Sequence, residues 1–145
     1  MSYGDNIGHG LLTEVWWEAS MTTKSSLTGQ TSQELADMYL ANSNWDYHVP
    51  GPIGYKHANV ELLVDALQRA KSLEPKKITA ALDETSLDTI IGHIEYDEGN
   101  ACVLNIAIGQ WTVDKDGKWS LDIVSNKHQP LIPMSDKKPI PIPGS

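Results

Sequence analysis

The chain has 145 residues, a length typical of one domain, and 40% of them are hydrophobic while 21% are charged. This composition excludes a disordered chain and a membrane-embedded one, because no apolar run approaches the roughly 18 residues that span a bilayer. The net charge of −8 repels phosphate backbones, which argues against nucleic acid as a partner. The single cysteine, Cys102, excludes an internal disulfide and a multi-cysteine zinc site.

The first predicted element is a strand over residues 11–17, where branched and aromatic residues follow a Gly-His-Gly turn. Further on, Thr31 and Glu34 have the spacing of a capping box, in which each side chain accepts a hydrogen bond from a free backbone N–H. This signature predicts a helix that ends at residues 42–44. An aromatic link over residues 45–52 follows, and its two prolines predict an extended segment without a helix.

Two further helices are predicted in the middle of the chain. The longer one runs from about residue 55 to residue 71, and the next opens at Pro75, a favoured first-turn residue. The apolar residues of the longer helix recur at helical spacing, which predicts that they form its apolar, buried face. These residues are Val60, Leu63, Val64, Leu67 and Ala70.

The remainder of the chain predicts strands and an extended arm. Strands are expected over residues 91–96, 103–111 and 119–124, separated by turns rich in Asp and Gly, and together they form a β-meander. Residues 130–145 hold five of the eight prolines and predict an arm that either lies on a surface or dangles. The order of one strand, three helices, a β-meander and the arm places the chain in the α/β or α+β class.

Six strings of the sequence are informative when taken together, although none is diagnostic alone. They are GLLTEVWWEAS (10–20), SSLTGQTSQELADMY (25–39), PIGYKHANVELLVDALQRAKSLEPKKITAAL (52–82), LDTIIGHIEYDEGN (87–100), IGQW (108–111) and NKHQPLIP (126–133). In this order the strings resemble the carboxy-terminal part of a type I periplasmic binding protein, more narrowly of the branched-chain amino-acid (Leu/Ile/Val-type) substrate-binding proteins of ABC transporters. The resemblance implies a partial α/β fold of that type, with residues 1–129 as the solute-binding portion and 130–145 as the tail.

The resemblance also implies a function. It implies the solute-binding component of an ABC importer for branched-chain amino acids or related amino-acid, amide or aromatic-acid solutes, which works with a membrane permease and needs no cofactor. In the family two lobes close on the solute, and the amino-terminal half, which has no counterpart here, supplies the groups that grip an amino acid's carboxylate. The family is periplasmic, whereas residues 1–6 show no secretion signal, which leaves a cytoplasmic location open.

Four residues are predicted to contact the solute. Trp16 and Trp17 end the first strand, where alternation directs at most one of them into a cleft to stack on an apolar or aromatic group; the alternative is packing in a core or an interface. By resemblance, Tyr55 and His57 begin a helix beside the ligand, where they would contact a carboxylate or an amide; the alternative is a solvated helix start. Gly54 is predicted either to allow a close backbone approach or to relax the turn.

The sequence predicts no catalytic, metal or cofactor site. The five histidines include no pair at the i, i+4 spacing of a metalloenzyme, and Cys102 lies on an apolar strand without a basic neighbour. The main alternative to solute binding is a structural or sensory module. Because three predicted helices have apolar faces that need a partner, such a module would pair with itself, as a homo-oligomer, or with a separate first half.

Overall fold

The structure, a computed structural model, describes residues 8–45 and 48–141. These residues form three helices and two small antiparallel sheets, which confirms the predicted mixed α/β class. The elements are β1 (Leu12–Val15), α1 (Ser32–Ala41), α2 (Pro52–Ala70), α3 (Pro75–Asp83), β2 (Ser86–Thr89), β3 (Gly92–Glu95), β4 (Ala107–Val113) and β5 (Trp119–Ser125). Within the described ranges, none of the helices has the length and apolar character that crossing a membrane requires. The stretch 1–6, where the sequence shows no secretion signal, lies outside the described residues.

Helix α1 begins with the predicted capping box. The Thr31 hydroxyl accepts a hydrogen bond from the Glu34 N–H at 3.2 Å, and the Glu34 carboxylate accepts one from the Thr31 N–H at 2.8 Å. This backbone hydrogen bond, together with a second one from the Thr31 hydroxyl, lowers the pKa of Glu34. The helix is capped at Asn42, so both predicted ends are confirmed.

Helix α2 begins at Pro52, three residues earlier than predicted. The expectation that the two prolines keep residues 45–52 free of helix is wrong at this end of the link. A proline at the first helical position lacks only an N–H that would have no partner within the helix, and its fixed φ angle suits the helix. Pro52 therefore starts α2 rather than delaying it.

The predicted apolar face of α2 is buried only in part, because Leu67 and Ala70 are half-buried while the other three residues are exposed. Val60 and Leu63 are 60% and 49% exposed, and together with Val64 they form what we call the outer face of α2. The face that α2 turns to the core instead carries Gly54, Ala58, Glu61, Leu62 and Ala66. Small side chains let the helix approach the core closely, and the carboxylate of Glu61 is accommodated there because it accepts the Ile90 N–H at 3.1 Å.

The strands differ from the predicted single meander. Strand β4 pairs with β1 on one side and β5 on the other, while β2 and β3 form a separate hairpin. The sequence predicts no strand over residues 86–89, where β2 lies, because the turn that follows is made of Ile90 and Ile91, which carry no turn signal. Both isoleucines are buried, and Gly92 supplies the positive φ of 116° that closes the reversal.

The proline-rich arm lies on the three-stranded sheet. Ile132 is fully buried, and Ser135 and Ile123 exchange two hydrogen bonds, one through the Ser135 N–H at 3.0 Å and one through its hydroxyl at 2.8 Å. Further along, the side-chain amide of Gln110 bonds both the N–H and the carbonyl of Ile140, at 2.9 and 3.0 Å. The described part of the arm therefore lies on a surface, which is one of the two predicted alternatives, and does not dangle. The predicted domain boundary at residue 130 stays a prediction.

Candidate functional site

A cleft of about 650 Å³ opens where the end of β1, the start of α2 and the sheet strands β4 and β5 meet. Its walls are mostly apolar and aromatic, as is typical of small-molecule sites. The described lining residues are Thr13, Glu14, Val15, Trp16, Trp17, Trp45, His48, Pro50, Gly51, Pro52, Tyr55, Trp111 and Leu121. The cleft therefore draws its walls from segments that lie more than 100 residues apart in the chain, from Thr13 to Leu121.

The two neighbouring tryptophans directly follow β1, which ends at Val15, and they differ in exposure. Glu14 and Trp16 are exposed, whereas Val15 and Trp17 are buried, although all four residues line the cleft. Trp16 is 43% exposed and Trp17 only 1%. Both tryptophans line the cleft, Trp16 from an exposed position and Trp17 from a buried one, so the prediction that at most one of them points into a cleft is not confirmed.

Two pairs of rings shape the walls of the cleft. Trp16 and Tyr55 meet edge to face, with ring centroids 5.9 Å apart and planes at 83°. His48 and Trp111 form a second edge-to-face pair at 5.4 Å and 87°. Trp45 completes the described aromatic set, and its indole N–H donates to the His48 carbonyl at 2.7 Å. Such contacts hold the rings in fixed orientations before any solute enters.

The electrostatics of the cleft depend on three ionisable residues. Burial lowers the pKa of His48 below its ordinary value of 6.5, against the opposing effect of the Glu18 carboxylate at 3.8 Å. Burial and, secondarily, the nearby Cys102 raise the pKa of Tyr55 to about 12. His48 and Tyr55 are therefore neutral at pH 7, and the charge on the described lining is the carboxylate of Glu14.

The structure places the four predicted site residues in different surroundings. Trp16 and Tyr55 come together in the cleft, while Trp17 contributes to the lining from the core, where its indole N–H donates to the Ser32 hydroxyl at 3.0 Å. His57 does not line the cleft; its Nδ1 lies 3.2 Å from the Glu61 carboxylate. The reason is geometric, because residues two apart on a helix point in different directions, and Tyr55 takes the cleft side.

Sequence reasoning did not identify Glu14, Trp45, His48 and Trp111 as lining residues. The unusual aromatic composition, with five tryptophans and no phenylalanine, was the available signal. It gives no position, because Trp111 reaches the cleft only through the pairing of β4 with β1, which is a long-range event.

Gly54 lies against the indole ring of Trp17, next to the cleft. A methyl group at this position would overlap the indole ring of Trp17, so the helix and the ring can pack only because residue 54 has no side chain. Of the two predicted roles, the close backbone approach agrees with the structure. The contact fixes the start of α2, and with it Tyr55, relative to the end of β1.

Replacing Gly54 with alanine is accordingly expected to lower the free energy of unfolding by about 1–3 kcal/mol, the usual cost of overpacking a core. Gly51→Ala is the matched control, because a Cβ there would meet only the Trp17 carbonyl oxygen at an ordinary 3.4 Å. Urea denaturation of both variants measures the difference. Equal stability of the two variants would contradict the packing role of Gly54.

The lowered pKa of His48 predicts a pH dependence of stability. The unfolded state takes up a proton on this histidine below about pH 6.5, while the folded state resists protonation, so the folded form loses stability as pH falls through this range. Wild type is expected to lose more free energy of unfolding between pH 7.5 and pH 5 than His48→Gln. A difference between the two proteins that stays constant with pH would contradict the prediction; chemical denaturation at several pH values provides the test.

No metal centre is found among the residues that the structure describes, since no group of three or more His, Cys, Asp or Glu side chains there is placed to hold an ion. The lining of the cleft likewise offers apolar surface rather than a set of ligating atoms.

Solved structures resemble this chain over most of its length. They include an ABC transporter substrate-binding protein from Sphaerobacter thermophilus (17% identity, TM-score 0.60), the leucine-binding protein LivK from Thermotoga maritima (18%, 0.63) and an ABC-type branched-chain amino acid transporter protein from Rhodopseudomonas palustris (18%, 0.54). The matches cover 83%, 86% and 90% of this chain but 31%, 33% and 34% of those chains, respectively.

This chain therefore spans about a third of the length of the solved proteins it resembles. No protein-family model matches the sequence, and neither does any curated protein. The resemblance that the six sequence strings indicate is confirmed at the level of fold. The described residues form part of the fold of ABC transporter substrate-binding proteins.

Proposed function

We propose that this chain binds a small solute in the aromatic cleft, as the solute-binding component of an ABC importer. The observation that supports the proposal best is the cleft itself, where Trp16, Trp45, Trp111 and Tyr55 line one cavity of about 650 Å³. This volume falls within the range of small-molecule sites, and pre-oriented rings bury apolar surface at little entropic cost. The shared fold with substrate-binding proteins supports the same role.

The solute we propose is an amino acid or a related small compound with a large apolar or aromatic part. Aromatic rings gain the most when they cover such a part, because each removes a large apolar area from water on both partners. Capture is reversible and involves no covalent step. By the same resemblance we propose a periplasmic location and delivery to a membrane permease.

The proposal is tested by thermal melts and calorimetric titration of the chain with a panel of solutes. The panel contains aliphatic and aromatic amino acids, short amides, amines and aromatic acids. A solute present at 100 times its dissociation constant stabilises the folded state by about 2.7 kcal/mol, which raises the melting temperature by several degrees. A cooperative melt that no member of the panel shifts, with no heat of binding, would overturn the proposal.

The outer face of α2 favours a second candidate, an association module. Val60, Leu63 and Val64 are exposed on one side of this helix, and apolar helix faces of this kind are buried at interfaces in many oligomers. We propose that two copies of the chain pair through this face. Native mass measurement tests it: wild type should be a dimer that Leu63→Glu converts to a monomer, and a monomeric wild type at micromolar concentration would contradict it.

A further inference from the structure

The charge and the ring geometry of the cleft narrow the class of solute. We propose that the cleft selects an organic ammonium ion, a cationic amine with an apolar or aromatic part, and does not require a carboxylate on the solute. The inference rests on the proposed solute-binding function. It goes further by assigning Glu14 and the edge-to-face ring pairs to recognition of a positive charge.

The first support is the charge of the lining. Glu14 is exposed at the cleft and carries a carboxylate, while none of the described lining residues is a lysine or an arginine. A solute carboxylate would therefore enter a cleft that offers it no cationic side chain from the described lining and one like charge. The net charge of −8 adds a long-range field that attracts cations and repels anions.

The second support is the arrangement of the rings. The face of an aromatic ring carries negative electrostatic potential and attracts a cation within about 6 Å of its centroid. In both ring pairs, Trp16 with Tyr55 and His48 with Trp111, the planes are nearly perpendicular. A cation that enters the cleft meets four rings of the types that attract it most, those of Trp16, Trp45, Trp111 and Tyr55.

The N-terminus of α2 lies beside the cleft but offers few donors to an anion. Pro52, its first residue, has no N–H, and the N–H of Ile53 already donates to the Pro50 carbonyl at 3.0 Å. A helix N-terminus ordinarily attracts a carboxylate through its free N–H groups. Here one of those groups is missing and another is already bonded to the segment that precedes the helix. The balance of the described groups favours a cation.

Calorimetric titration with three matched compounds tests the inference. The probes are 2-phenylethylammonium, the neutral alcohol 2-phenylethanol, which removes the charge, and L-phenylalanine, which adds a carboxylate to the same amine. We expect 2-phenylethylammonium to bind about tenfold more tightly than either of the others. If the alcohol or L-phenylalanine binds as tightly or more tightly, the inference fails while the proposed function stands; if no probe and no panel solute binds, both fail.

Two glutamine variants locate the source of the selectivity. Glu14→Gln should weaken binding of 2-phenylethylammonium about fivefold and leave binding of 2-phenylethanol unchanged, since only the ammonium ion interacts with the lost charge. Glu98→Gln removes an equal charge from an exposed turn residue outside the cleft lining and should change neither affinity. Equal effects of the two variants would show a general field effect and would overturn the role of Glu14. Thermal melts of both variants confirm that they fold.

Discussion

Replacing Trp16 with alanine is expected to weaken binding of the solute about 30-fold while the melting temperature changes by no more than a few degrees. Trp16 is 43% exposed and faces the cleft, so its truncation removes a wall of the site but leaves no cavity in the core. Aromatic side chains at the centre of binding sites typically contribute about 2 kcal/mol or more, which corresponds to this factor. Calorimetric titration with whichever panel solute the wild type binds gives the affinity.

Leu12→Ala is the control for this variant, because Leu12 lies on β1, which ends just before Trp16, and is similarly exposed but does not line the cleft. It should leave the affinity unchanged. If Trp16→Ala binds the solute as tightly as the wild type does, the aromatic cleft is not the binding site. A large loss of stability in Trp16→Ala would instead show that this ring belongs to the core.

Trp17→Ala should have the opposite result, a loss of about 3–5 kcal/mol from the free energy of unfolding. The ring of Trp17 is 1% exposed, it packs directly on the backbone of Gly54, and its indole N–H donates to the Ser32 hydroxyl. A cavity of this size removes a large share of the roughly 5–15 kcal/mol that stabilises an ordinary domain. In thermal melts the midpoint should fall by about 10 °C or more.

Trp17→Phe separates the ring from its hydrogen bond. Phenylalanine keeps much of the apolar contact with α2 but leaves Ser32 without the indole donor, so a smaller loss of about 1–2 kcal/mol is expected. A loss in Trp17→Ala no greater than in Trp17→Phe would mean that the ring contributes little to the core. The neighbouring positions 16 and 17 would then not divide between cleft and core as described.

The local features of the fold were predictable because each depends on residues close together in the sequence. The capping box at Thr31, for example, needs only Glu34 three positions later. The resemblance to substrate-binding proteins came from short strings kept in order. None of these inferences needed knowledge of which elements pack together.

The remaining features depend on contacts between distant segments. The exposed position of Leu63 and the buried position of Glu61 follow from what α2 packs against, since the Ile90 N–H that bonds the carboxylate lies 29 residues further along. A helical apolar stripe cannot reveal that the helix turns its small residues inward instead. The cleft was only half predictable for the same reason: Trp111 joins Trp16 across the β1 and β4 pairing.

The long-range pairing of β1 with β4 also constrains how the chain acquires its structure. Leu12 pairs with Gln110, whose side chain donates to the Gly10 carbonyl 100 residues away and also holds Ile140. At synthesis rates of about 5–20 residues per second, the first strand waits roughly 5–20 s for its partner. During that interval the apolar and aromatic residues around Trp16 and Trp17 have no sheet to cover them. Slow folding is therefore expected, because so much of the sheet depends on pairing between distant segments.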